Sequence, residues 1–165
     1  MHLKSQQEPS KITSDGIRRL GHQPNLRVAN LANTLIDDAA LPMMAQWPLL
    51  EDVHLEGTPV TSSGVQRLAR LEHLKTLYLA GTKVDDDAVA SLCRLRTLKV
   101  LDLSQTEVSG MGLFTLREEL PSCKLFGDLL DVSDDVETDP EGMRWREMTR
   151  YMWRLGRSRR LKLLI

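Results

Sequence analysis

The segment LEDVHLEGTPVTSSGVQRL, residues 50–68, is answered at 74–92 by LKTLYLAGTKVDDDAVASL. Leu50 aligns with Leu74, Val53 with Leu77, Leu55 with Leu79, Thr58 with Thr82, Val60 with Val84, Val65 with Val89 and Leu68 with Leu92. The displacement is 24 residues throughout. Working outward, the threonine column extends to Thr34 and Thr106, and the leucine before it to Leu31 and Leu103. Ile12, Ile36 and Val108 extend the aliphatic column that follows the threonine. Leu26 and Leu98 extend the first leucine column. Ala29, Leu101 and Leu125 join Val53 and Leu77. Ile17, Leu41 and Leu113 join Val65 and Val89, and Leu20, Met44 and Leu116 join Leu68 and Leu92. So many columns at one spacing mark an internal repeat, and a period in this range means a stacked architecture.

Each unit reads LxxLxLxxTxV, then a small polar turn, then apolar residues three to four apart. The first half alternates, which fits a short strand. The second half opens with TSDG at 13–16, DDAA at 37–40, TSSG at 61–64 and DDDA at 85–88. Such residues suit a helix N-cap, where side-chain oxygens meet free backbone N–H groups. One unit is therefore a strand, a turn and a short helix. It cannot bury its apolar face alone, so neighbours must stack into a shared core with the strands in a parallel sheet. The threonine hydroxyls face inward and need backbone partners.

These repeats resemble the leucine-rich-repeat superfamily, closest to its ribonuclease-inhibitor-like and F-box-adaptor branch, in which LxxLxLxxTxVTDxGLxxL is common. LREELPSCKLFG, ending at Gly127, resembles the closing repeat of such proteins, where an LPxC segment supplies an edge strand. The resemblance covers about Ile12 to Gly127 and implies a right-handed α/β solenoid of about five repeats. No F-box segment precedes it, so ubiquitin-ligase adaptor activity does not carry over.

The organisation expected is a polar extension at 1–11, the repeats at 12–127, an acidic linker at 128–141 and a basic amphipathic helix and tail at 142–165. The partial unit from Ile12 to Leu20 is expected to cap the first repeat, with Arg18 and Arg19 in water. The linker holds seven acids and no base; the tail holds eight bases and one acid. Asp139, Pro140 and Glu141 read as a helix start, and Trp145, Met148, Met152 and Leu155 make one stripe. Three readings of the tail compete: a helix capping the solenoid, a contact with an anionic membrane, or an arginine-rich phosphate or nucleic-acid contact. The acidic stretch argues against nucleic acid. Tail contact residues in the latter readings are Trp145, Arg146, Arg150, Trp153 and Arg154.

Strand alternation puts the residues between the leucines on the concave sheet face. Those expected to touch a protein or peptide partner are Asn30, Asp52, His54, Thr76, Tyr78, Val100, Asp102 and Phe126. Tyr78 is the best single anchor, since tyrosine is enriched at hot spots. Arg27, Glu51, Lys75 and Lys99 flank the face.

Composition bounds the rest. The chain has 165 residues, 41% of them hydrophobic, enough to bury a core, and its net charge of −1 gives no global field toward nucleic acid or membrane. Two cysteines make no disulfide framework and no metal spacing, which fits a reducing, cytoplasmic setting. The N-terminus lacks the apolar core of a secretory signal, and no apolar run is long enough to span a membrane. No GxSxG, HExxH or Gly-rich phosphate loop is present. His54 and Asp102 share a column two strands apart, too far for a dyad. Asp85, Asp86 and Asp87 read as a helix cap with two solvated neighbours rather than a catalytic cluster. The expectation is a non-catalytic interaction module without cofactor or metal, its oligomeric state open. The alternative is a peripheral anionic-surface binder acting through the tail.

Overall fold

The computed structural model describes residues 10–128. The acidic linker beyond Asp128, the basic helix and its contact residues Trp145, Arg146, Arg150, Trp153 and Arg154 lie outside them.

The described residues run β1 (Ser10–Thr13), α1 (Ser14–Leu20), β2 (Val28–Asn30), β3 (Thr34–Leu35), α2 (Leu41–Met44), β4 (Asp52–His54), α3 (Ser62–Leu68), β5 (Thr76–Tyr78), a 3-10 turn Asp86–Ala88 leading into α4 (Val89–Leu92), β6 (Val100–Asp102), α5 (Gly110–Glu119) and β7 (Lys124–Phe126). Strands alternate with helices except where β3 follows β2 directly, and β2, β4, β5, β6 and β7 form one parallel sheet in that order. A second, two-stranded parallel pairing joins β1 to β3. β1 begins at Ser10, inside the stretch assigned from sequence to the polar extension.

The register reproduces the sequence period. Ala29 faces Val53, Val53 faces Leu77, Leu77 faces Leu101 and Leu101 faces Leu125. A parallel pair has no hairpin to fix its register, so the pairing must be held by what each strand buries. Here the middle residue of each strand from Ala29 to Leu101 is buried between two neighbours that are not. Leu55, Leu79 and Leu103 continue the core one step on. Leu41, Val65, Val89 and Leu113 meet it from the helices in one cluster. A one-residue slip would drive Thr76 or Tyr78 into that cluster.

The inward threonines behave as a buried hydroxyl must. Thr34, Thr58, Thr82 and Thr106 each donate to the carbonyl three residues back, at 2.7, 2.6, 2.6 and 2.6 Å. One residue before each threonine the chain turns through the left-handed region, at Asn33, Gly57, Gly81 and Gln105. The amides of Asn33, Gly57 and Gly81 donate to the carbonyls of Glu56, Ala80 and Ser104 in the next unit. At Gln105 the Asp128 carboxylate takes over that acceptor role, at 2.8 Å.

The polar turns do more than cap helices. Thr61, Asp85 and Ser109 do accept from the first helical turn. Each also joins the unit before it. Ser14 donates to Asp37 at 2.6 Å, Thr61 to Asp38 at 2.6 Å, Ser62 to Asp85 at 2.6 Å and Ser109 to Asp86 at 2.6 Å. The amides of Asp37, Thr61, Asp85 and Ser109 donate back to the same partner side chains. Every junction thus holds one hydroxyl and one carboxylate. The expectation that Asp86 is a merely solvated neighbour of a cap is corrected here, because it receives both the amide and the hydroxyl of Ser109.

At the N-terminal end the columns run out. Ile12 and Leu20 are 42% and 52% exposed, while their counterparts in later units are buried. Arg18 and Arg19 face water as expected. Ile17 still reaches the core, and Trp47 is buried with its indole N–H donating to the Gly21 carbonyl at 2.9 Å.

Candidate interaction face

Because successive side chains of a strand point to opposite faces, burying the middle residue of each strand leaves the outer two on the open face. Val28, Asp52, Thr76, Val100 and Lys124 form one row. Asn30, His54, Tyr78, Asp102 and Phe126 form the next. All eight residues picked from sequence are therefore brought together. Asn30 and Phe126 are exposed, and Asp52, His54, Thr76, Tyr78, Val100 and Asp102 are half-buried by one another.

The centre of the second row is ordered by an aromatic contact. The His54 and Tyr78 rings stack with centroids 4.6 Å apart and planes at 27°. His54 Nδ1 lies 3.3 Å from one Glu56 carboxylate oxygen. The other, Oε2, is buried with no hydrogen-bond partner among the described residues. Tyr78 stands between His54 and Asp102, which keeps those two from forming a proton-relay pair. Asp102 instead accepts from the Ser104 amide at 2.9 Å, closing its own turn. Lys124 was not anticipated as part of the face. Its ammonium lies 4.9 Å from the Phe126 ring centre, within cation–π range.

Before the strands runs a charged rim. Glu51 holds Arg27 at 2.5 Å with one oxygen and Lys75 at 2.5 Å with the other. The Lys75 bond pulls the Glu51 carboxyl below its ordinary pKa, with the charge of Arg27 adding to it.

Residues 70–93 match the family model described as Leucine Rich repeat. The chain carries a leucine-rich repeat. No curated protein matches the chain. The matched repeat spans the end of the preceding turn, all of β5 with Tyr78, the Asp85 cap and α4. It thus supplies the centre of the open face.

Cys93 and Cys123 are free and half-buried against the core; burial, reinforced at Cys93 by Glu119, pushes both thiols up and away from thiolate reactivity. Among the described residues no group of three His, Cys, Asp or Glu side chains is placed to hold a metal ion, and no helix is long and apolar enough to cross a membrane.

Proposed function

We propose that the chain is a non-catalytic recognition module, a right-handed leucine-rich-repeat solenoid of about five units of the ribonuclease-inhibitor-like kind, that grips a protein or peptide on its concave sheet face in the cytoplasm. Leucine-rich-repeat domains commonly mediate protein–protein interaction. The observation that carries the reading is the register. It sets Asn30, His54, Tyr78, Asp102 and Phe126 side by side on an open face, with a stacked aromatic pair at the centre. The mixture of aromatic, acidic and basic groups is that of a protein interface. The five strands give a wall about 20–25 Å across, enough for a peptide or the edge of a small domain.

The test is a crosslinking pull-down from the native cell, identified by mass spectrometry and repeated with Tyr78→Ala. If Tyr78 is a hot spot, its loss weakens the complex by about 1–3 kcal/mol. Undiminished capture by both Tyr78→Ala and His54→Ala would move the partner off this face. The alternative, an anionic surface bound through the tail, rests on residues outside those described; liposome flotation with and without residues 142–165 tests it.

A further inference from the structure

Along the rim, the residues just before the strands change character from one end of the sheet to the other. Positions related by the repeat read Asn25, Leu49, His73, Thr97 and, two residues on, Arg27, Glu51, Lys75, Lys99. Before β5, β6 and β7 the chain makes an open depression of about 380 Å³ lined by His73, Lys75, Arg96, Thr97, Leu98, Lys99 and Ser122. Ser122 stands where the earlier units carry a leucine, so the depression ends on a hydroxyl instead of an aliphatic plug.

Three cations and an imidazole line this depression and no carboxylate does. The acids nearby act from outside. Glu51 fixes Lys75, and Glu119 fixes Arg96 through its side chain at 3.0 Å and through its carbonyl. Lys99 makes no ion pair among the described residues. Lys124, one strand further along, adds another positive charge on the open face. Lys99 is thus the lining cation with no carboxylate partner among the described residues, and an anion laid beside it supplies one.

We propose that this depression receives an acidic segment of the protein partner, a run of Asp or Glu side chains laid across the starts of β5, β6 and β7. The inference rests on the protein-binding reading above and names the partner's chemistry. Lysine ammonium groups are mobile point charges that suit a flexible row of carboxylates. The anchors are divided: Tyr78 holds one part of the partner, and Lys75 and Lys99 steer and hold the acidic part.

The probe is a fluorescein-labelled decaglutamate peptide, titrated at low salt with the full chain and followed by anisotropy. Wild type binds it, and binding weakens as salt rises. Lys75→Glu/Lys99→Glu loses at least about ten-fold in affinity, as a reversed rim charge should. Lys99→Gln, which disturbs no ion pair, loses part of it. Arg117→Gln, an exposed change on α5 outside the depression, keeps it, and the pull-down with Tyr78→Ala reads the face separately from this titration of the rim. Circular dichroism confirms that each variant is folded. Equal peptide binding by the double variant, absence of binding by wild type, or capture of phosphatidylserine vesicles through these lysines without capture of the peptide would each overturn the proposal.

Discussion

The Ser62 hydroxyl donates to the Asp85 carboxylate at 2.6 Å while accepting the Asp85 amide at 2.9 Å, so two side chains from consecutive units close a ring across their junction. The neighbouring junctions carry the same ring with the polarity reversed, Asp38 facing Thr61 and Asp86 facing Ser109. Ser62→Ala should therefore destabilise the fold, and Ser62→Asp should destabilise it further by setting two carboxylates against each other. The exchange Ser62→Asp/Asp85→Ser should recover most of the loss. Urea unfolding of the four proteins checks the order. A double variant no better than Ser62→Asp would show that the ring contributes nothing as a pair.

Acid should weaken the fold through the same rings. The Ser14 hydroxyl, helped by the Ala39 amide, holds Asp37 below its ordinary pKa, and the Ser62 hydroxyl does the same for Asp85. A carboxyl whose folded pKa lies below its unfolded value of about 3.9 supplies stability that is complete above that value and disappears as pH falls through the folded one. Unfolding midpoints should be level above about pH 5 and drop below pH 4. In Asp37→Asn/Asp85→Asn the drop should be shallower. An unchanged slope would assign the acid sensitivity to other carboxylates, Glu51 first among them.

The columns should differ in cost from centre to end. Leu79 is fully buried in the middle of the stack, and Leu79→Ala should cost about 2–5 kcal/mol by transfer and cavity terms together. Leu20 occupies a repeat position whose later members are buried, yet it is half in water, and Leu20→Ala should stay within about 0.5 kcal/mol. Chemical denaturation separates the two. Comparable losses would mean that the first unit is covered in solution.

Thr58→Val keeps the shape of the side chain and removes the hydroxyl bond to the Leu55 carbonyl, which still accepts the Thr58 amide at 3.2 Å. In this buried position the loss should be about 0.5–1.5 kcal/mol. The same change at Thr106, which is less buried, should cost less. Equal stabilities of wild type and Thr58→Val would make the threonine column a matter of volume alone.

Trp47→Phe keeps most of the apolar bulk and removes the bond to Gly21. Amide exchange should quicken in α1 and leave β5 and β6 unchanged. Uniform acceleration would mean that the first unit does not open by itself.

Much of this was legible in the sequence because stacking turns spacing into position. Leu55, Leu79 and Leu103 announce the core by recurring, and alternation then fixes which residues stand outward on the sheet. The rings escaped because they join different columns. Ser62 and Asp85 are 23 residues apart, one short of the repeat, so aligning the units on their period hides the pairing. The aspartates at 85–87 looked like one cap with idle neighbours for the same reason. Trp47 also escaped: it sits where Leu71 and Leu95 stand in later units, and its indole N–H reaches the Gly21 carbonyl, a partner that no aliphatic column announces.

The junction rings carry a rule of parity. Units with two hydroxyls at the junction, Thr13 with Ser14 and Thr61 with Ser62, alternate with units holding two acids, Asp37 with Asp38 and Asp85 with Asp86. Excising or duplicating a single unit would set like against like at a seam, acid on acid or alcohol on alcohol, whereas moving two together leaves every seam matched. The stack can thus grow or shrink smoothly only by twos, and Gly110, bare at the last such position, offers no side chain with which to bond a further unit.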